Sequence, residues 1–257
     1  MIIDTHTHLD GPEFKDDIQE VVQRAKSAGV SKVFIPAIDL SSIKSINTVC
    51  HQFPDFAYPM MGLHPEEVKA NYKKVLQKMK NELLANSKYI AVGEVGLDFY
   101  WSREFEKEQL EAFEEQVKWS VETRLPLMIH CRKAQNEMVK ILRKYQKQLP
   151  GGVFHCFTGN EKEAAELLSF DNFVLGIGGV LTFKKANLPE TLKSVPLQRI
   201  VLETDSPYMA PVPLRGKRNE SSFLVHVVAK LAEVYNTTED GIALQTNKNV
   251  ERIFGFC

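Results

Sequence analysis

Met1-Ile2-Ile3-Asp4-Thr5-His6-Thr7-His8 opens the chain. Ile2 and Ile3 begin an apolar, buried strand, which the pattern extends over residues 2–8. Residues two apart on a strand point to one face. His6 and His8 therefore project together from its end, spaced to share one cation. Neutral imidazole is the commonest protein metal ligand. The rest of such a site is expected at the ends of later strands.

Outward from this stretch, short apolar runs alternate with longer amphipathic segments. Strands are predicted over residues 2–8, 32–36, 57–64, 89–98, 127–130, 152–157, 173–178 and 199–204. Helices are predicted over 14–28, 41–53, 66–85, 104–123, 133–148, 161–170, 186–192, 222–235 and 238–254. Strands alternating with helices imply parallel βαβ units. Eight such strands in 257 residues fit an α/β fold, a (β/α)8 TIM barrel, as a single domain over residues 1–257. A doubly wound open sheet is the alternative, disfavoured because no G-x-G-x-x-G follows the first strand.

Hydrophobic content of 44% and charged content of 25% are ordinary globular values. A net charge of −1 argues against a nucleic-acid-coating basic surface, yet leaves room for a phosphate substrate whose charge bound metal offsets. The cysteines, Cys50, Cys131, Cys156 and Cys257, form no C-x-x-C pair and read as reduced thiols. No apolar run reaches transmembrane length and no signal-peptide pattern opens the chain, so no membrane partner and a cytoplasmic location are expected.

In a barrel the active site lies at the C-terminal ends of the strands. The first strand ends in His6 and His8, the third in His64, the fifth in His130 and the sixth in His155. The fourth carries Glu94, and the eighth carries Glu203 and Asp205. Five of the seven histidines thus fall at strand ends, a joint placement that turns individually unremarkable residues into a metal site. His6, His8 and Asp205 suit one ion, His130 and His155 a second, with Glu94 bridging them through one oxygen to each. Open positions remain for water and substrate. Imidazole suits zinc or manganese, and carboxylate suits magnesium or manganese. Glu203 shares the parity of Asp205, to orient a ligand or hold a further ion. Asp98 shares the parity of Glu94 but is placed beyond the strand, where a turn or capping role is an equal alternative. Cys131 and Cys156 follow ligand histidines, so alternation sends both into the helix layer as small buried hydrophobes.

Seven strings carry a family resemblance: Asp4-Thr5-His6-Thr7-His8, Gly62-Leu63-His64-Pro65, Gly93-Glu94-Val95-Gly96-Leu97-Asp98, His130-Cys131-Arg132, His155-Cys156-Phe157-Thr158-Gly159, Leu202-Glu203-Thr204-Asp205-Ser206-Pro207-Tyr208, and Arg215-Gly216-Lys217-Arg218-Asn219-Glu220. In this order they resemble the TatD family of metal-dependent deoxyribonucleases, within the amidohydrolase-type barrels, from residue 4 to about 253. The resemblance implies a TIM barrel, two divalent ions (magnesium, manganese or zinc), and hydrolysis of phosphodiester bonds in DNA. It further implies a 3′-to-5′ exonuclease preferring single strands over duplex ends, with some activity on RNA. The implied ligands are His6, His8, Glu94, His130, His155 and Asp205, the six that strand-end placement selects. One departure is Ser221, where the family usually has proline. Serine also suits a helix start.

Barrels often bind phosphate near the loops after strands seven and eight. Lys184 and Lys185 occupy the first, and Arg215, Lys217 and Arg218 the second. The arginines, near Asp205, are the stronger phosphate contacts. Phe99, Tyr100 and Trp101 follow Glu94 and serve either to stack on exposed bases or to pack between loops. The expected mechanism is in-line attack by a metal-bridging hydroxide. Asp205 accepts the proton, and His64 contacts phosphate or donates a proton. The rivals are a hydrolase of a small amide, ester or phosphoester, which has no use for residues 215–218, and a non-catalytic nucleic-acid-binding barrel.

Overall fold

The structure, a computed structural model, describes residues 1–255, so Cys257 lies outside the described residues. Its strands are β1 Ile2–Asp4, β2 Val30–Pro36, β3 Ala57–Met60, β4 Val92–Asp98, β5 Leu127–Arg132, β6 Gly152–Phe154, β7 Phe173–Ile177 and β8 Ile200–Leu202. Its helices are α1 Ile18–Ser27, α2 Ser42–Gln52, α3 Tyr72–Ala85, α4 Glu106–Thr123, α5 Gln135–Tyr145, α6 Glu161–Leu167, α7 Leu188–Leu192, α8 Leu224–Tyr235 and α9 Glu239–Phe254. Each predicted element is present, most of them shorter than expected. All strand pairs are parallel, in the orders β1-β2-β3 and β4-β5-β6-β7-β8.

Two seams close these sheets into a barrel. At β3–β4, Met61 N–H donates to Ala91 O and Gly93 N–H to Met61 O. At β8–β1, Thr5 N–H donates to Leu202 O and Asp205 N–H to His6 O. Inside, Ile3, Phe34, Met60, Ala91, Met128, Val153, Val174 and Val201 form one apolar cluster, drawn in turn from each strand or its edge. Val250 and Ile253 of α9 pack against it. The larger cluster fills the space between strands and helices. Each aliphatic side chain so buried contributes roughly 1.5–3 kcal/mol. No helix among the described residues is long and apolar enough to cross a membrane.

The first strand is shorter than predicted, and alternation breaks inside it. Ile3 and His6 are three residues apart, yet both face inward. Beyond Asp4 the chain leaves the ladder: Thr7 N–H donates to Phe34 O while His6 O accepts from Asp205. The fourth strand repeats this, with a register shift between Val92 and Val95 that separates inward Ala91 from inward Glu94. A one-residue shift moves side chains to the other face. β6 and β8 also stop early, where Cys156 and Asp205 adopt left-handed φ values of 49° and 55°.

Candidate metal centre

Glu94 is the centre of the site. Its Oε2 lies 3.2 Å from His6 Nε2 and 3.8 Å from His8 Nε2. Its Oε1 lies 3.0 Å from His130 Nδ1, 3.4 Å from His64 Nε2 and 3.8 Å from His155 Nε2. One buried carboxylate thus faces two sets of imidazoles, one with each oxygen. Asp205 Oδ1 stands 3.6 Å from both His8 Nε2 and His155 Nε2, and 3.8 Å from His6 Nε2. His155 stacks on His6, with centroids 3.6 Å apart, and so borders both sets.

Local backbone makes this convergence possible. Gly96 has φ 149°, and a Cβ there would lie 1.8 Å from His130 O. Only glycine lets β4 and β5 approach this closely, and that approach brings Glu94 to His130. Behind the ligands stands a second row of carboxylates. Asp98 Oδ2 lies 2.9 Å from His130 Nε2, and Glu203 Oε2 lies 3.1 Å from His155 Nδ1. Glu203 Oε1 also accepts the Cys156 N–H at 2.5 Å.

The electrostatics follow from burial and these partners. Burial and the neighbouring His155 charge push His6 below its ordinary value, leaving a neutral ring able to donate a lone pair. Burial alone would raise Glu94, but His6, His64 and His130 together hold it well below the usual carboxylate range. Asp205 is likewise lowered against burial, chiefly by His155 and His8. Burial opposes charge on His130, yet Asp98 and Glu94 lift it to about 9. Glu203 and Asp205 lift His155 to about 10 in the same way, and His8 is raised beside Asp205.

The residues fit a metal. Two ligand atoms each about 2.1 Å from a tetrahedral ion lie roughly 3.4 Å apart, close to the spacings found here. The His6 and His8 Nε2 atoms face each other at 3.4 Å, a pairing that a shared cation explains better than a lone proton. Donor atoms of His6, His8 and Asp205 lie within 4.8 Å of one another, as do those of His6, Glu94 and His155, and those of His64, Glu94 and His130. His6 Nδ1, His155 Nδ1 and Glu203 Oε2 are buried without an aligned hydrogen bond.

The structure places the remaining expected residues as follows. His64 sits against Glu94, its Nδ1 accepting the Glu66 N–H at 3.2 Å. Asp98 is the last residue of β4 and does both things expected of it: Oδ1 accepts the Tyr100 N–H in a turn, and Oδ2 faces His130. Cys131 packs against the outer core as expected. Cys156 does not: β6 ends before it, its left-handed φ breaks alternation, and its sulfur joins donor atoms of His155 and Asp205 within 4.8 Å. Arg218 is fastened by two bonds to Asp17, at 2.8 and 2.6 Å, and lies over Phe14. Arg215 is exposed and stacks on Phe183 at 3.8 Å; Lys217 is exposed. Cys50, Cys131 and Cys156 are free thiols.

Sequence reasoning gave Asp4 and Ser221 no part in the site. Asp4 Oδ1 accepts from His6 N and Thr204 N, and its Oδ2 from Thr204 Oγ1 and Ser221 Oγ at 2.7 and 2.6 Å. Ser221 thus donates to the aspartate that holds His6 and the approach to Asp205.

A parallel barrel whose mouth gathers buried histidines around two carboxylates defines a metal-dependent hydrolase. The chain belongs to the TatD family: the family model described as TatD related DNase matches residues 3–255. The metal-dependent hydrolase YabD of Bacillus subtilis is 37% identical over 255 residues, covering 99% of each chain. The 3′-5′ ssDNA/RNA exonuclease TatD of Yersinia pseudotuberculosis is 31% identical over 259 residues, covering 98% of this chain and 99% of its own. The crystal structure of YJJV, a TatD homolog from Escherichia coli, superposes with a TM-score of 0.92 at 28% identity, over 100% of this chain and 98% of that one.

Proposed function

We propose that this protein is a nuclease that removes nucleotides from the 3′ end of single-stranded DNA, with RNA as a second substrate, in the cytoplasm. Two divalent ions, magnesium, manganese or zinc, are held by His6, His8, Glu94, His130, His155 and Asp205. The observation that carries this reading is the split of Glu94, one oxygen toward His6 and His8, the other toward His130 and His155. The exonuclease named among the relatives supports the choice of substrate.

Bound divalent ions supply Lewis acidity and a water acidic near pH 7. Asp205, ionised beside three histidines, takes a proton from the attacking water. His64 accepts the Glu66 N–H on Nδ1, which leaves Nε2 as the nitrogen aimed at the site, placed to give a proton to the leaving oxygen. Glu203 holds the His155 ring and serves catalysis through it. Arg215 and Lys217, exposed after β8, meet backbone phosphates; Arg218 is tied to Asp17 and steadies their loop.

The test is hydrolysis of 3′- and 5′-labelled single strands by protein reconstituted with each metal, beside a panel of lactones. Shortening from the 3′ end is expected, with loss of at least a thousandfold in Glu94→Ala/His130→Ala. Full nuclease activity in that double variant, or lactone turnover with intact oligonucleotides, overturns the reading.

A further inference from the structure

The three aromatic residues after β4 divide into two kinds. Phe99 is buried, with Arg103 lying over its ring at 4.8 Å. Tyr100 and Trp101 are 49% and 68% exposed. Their rings meet edge to face with centroids 4.8 Å apart. The Arg132 guanidinium lies 3.7 Å above the Tyr100 ring and 5.2 Å from that of Trp101. The Arg132 charge also acts on the Asp98 carboxylate and helps hold it below its ordinary value. An exposed tryptophan leaves a large apolar face in water, and here an exposed guanidinium stands beside it.

This cluster is wired to the metal centre. Asp98 Oδ1 accepts the Tyr100 N–H at 2.8 Å while its Oδ2 faces His130 Nε2 at 2.9 Å. One carboxylate therefore positions both a candidate ligand and the start of the aromatic pair. Arg132 follows His130 by two residues on β5, so both project from the same face, roughly 7 Å apart along the strand.

We propose that Tyr100, Trp101 and Arg132 form a stacking platform for an unpaired nucleobase beside the phosphate at the metal centre. The proposal rests on the nuclease reading and names what that reading lacks, a reason for preferring single strands. A base within a duplex has both faces covered and cannot stack on a side chain, whereas every unpaired base offers a π face. The arginine plane adds a cation for the base or its phosphate.

Trp101 reports on this directly, because the other tryptophan, Trp119, is fully buried. Fluorescence of the metal-free protein is titrated with an eight-nucleotide thymidine strand and with an abasic strand of equal length and charge. The thymidine strand is expected to quench Trp101 and to bind about tenfold more tightly than the abasic one. Trp101→Ala should remove the quench and raise KM for the thymidine strand about tenfold, close to that of the abasic strand. Trp101→Phe should restore the KM. Equal affinity for the two strands, or no rise in KM in Trp101→Ala folded by circular dichroism, overturns the platform. Base-dependent quenching without hydrolysis under any metal sinks the nuclease reading and leaves the platform standing. Hydrolysis with base-independent affinity does the reverse.

Discussion

The β8–β1 seam and the β3–β4 seam both carry the metal centre, and they are fastened by opposite means. Each retains a single bridge between the sheets, Thr7 with Ser206 in the first and Met61 with Val92 in the second. At β8–β1 the fastening is polar side chains: Asp4 receives four hydrogen bonds, and the Thr7 and Ser206 hydroxyls meet at 2.6 Å. At β3–β4 it is the lack of side chains. A Cβ on Gly62 would lie 2.6 Å from Val95 Cγ1, 2.8 Å from the Gly93 carbonyl carbon and 2.9 Å from Glu94 O. Both seams sit where a strand shifts phase to turn a ligand inward, His6 in one and Glu94 in the other. Interrupting the ladder frees those side chains, and each seam restores the lost cohesion with what its sequence offers.

Adding a methyl group to the seam that depends on space should have the largest effect. Gly62→Ala drives its Cβ into Val95 Cγ1 and to within 2.9 Å of the Gly93 and Glu94 backbone. Overpacking of this kind costs about 3 kcal/mol, a fall in Tm of roughly 8 °C. The neighbouring Glu94 should lose metal affinity as well. A melting point within a degree of the parent would show that the seam tolerates a side chain.

The polar seam should break almost as easily when its acceptor is removed. Asp4→Ala leaves the His6 N–H and the Ser221 hydroxyl without a partner in a dry interface and Thr204 with only its longer bonds to His6 O and Ser206, at about 3 kcal/mol. Asp4→Asn should cost about 1 kcal/mol, because the Thr204 and Ser221 hydroxyls can turn to accept from the new amide. Chemical denaturation of both variants checks the order; equal losses would deny the hydroxyls that freedom.

The candidate ligands are more legible in the sequence than their surroundings. On β5, β6 and β8, alternation from interior Met128, Val153 and Val201 leads in phase to His130, His155 and Glu203. On β1 and β4 the phase shift is invisible in one sequence. His6 and His8 survive it because they stay in phase with each other after the break. Cys156 does not, because alternation carries its orientation through a strand that has already ended. Apart from His6, the partners of Asp4 lie 200 residues or more away, and no local pattern announces them. Arg218 reads as a phosphate contact because charge near a site shows in sequence, whereas its pairing with Asp17 requires the fold.

The β8–β1 seam also differs in protonation from the strands beyond it, β5 and β6, and calorimetry of metal loading tests that contrast. His6 is pushed down and binds as the neutral ring. His130, at about 9, and His155, at about 10, hold protons at pH 7 that a metal must displace. Loading at pH 7 should therefore release about two protons, read as a dependence of binding heat on buffer ionisation enthalpy. The sign is fixed: affinity rises with pH up to about 9, by roughly tenfold per unit for each proton released. Heats independent of buffer would mean that His130 and His155 are already neutral.

The smallest effect separates this chain from its family. Ser221 starts the short 3-10 helix before α8 and donates to Asp4 Oδ2 at 2.6 Å. Proline in its place offers no hydroxyl and no N–H, so Asp4 would keep three of its four donors. Ser221→Ala removes that one bond with little change in shape and should cost about 1 kcal/mol. Ser221→Pro loses the same bond but recovers part of the loss, because proline stiffens the unfolded chain at a helix start by about 0.5 kcal/mol. Melting curves for the pair should place the proline variant between the parent and the alanine variant. If both variants melt with the parent, Asp4 is held by Thr204 and the backbone alone, and the polar seam is closed by β1 and β8 without help from the segment ahead of α8.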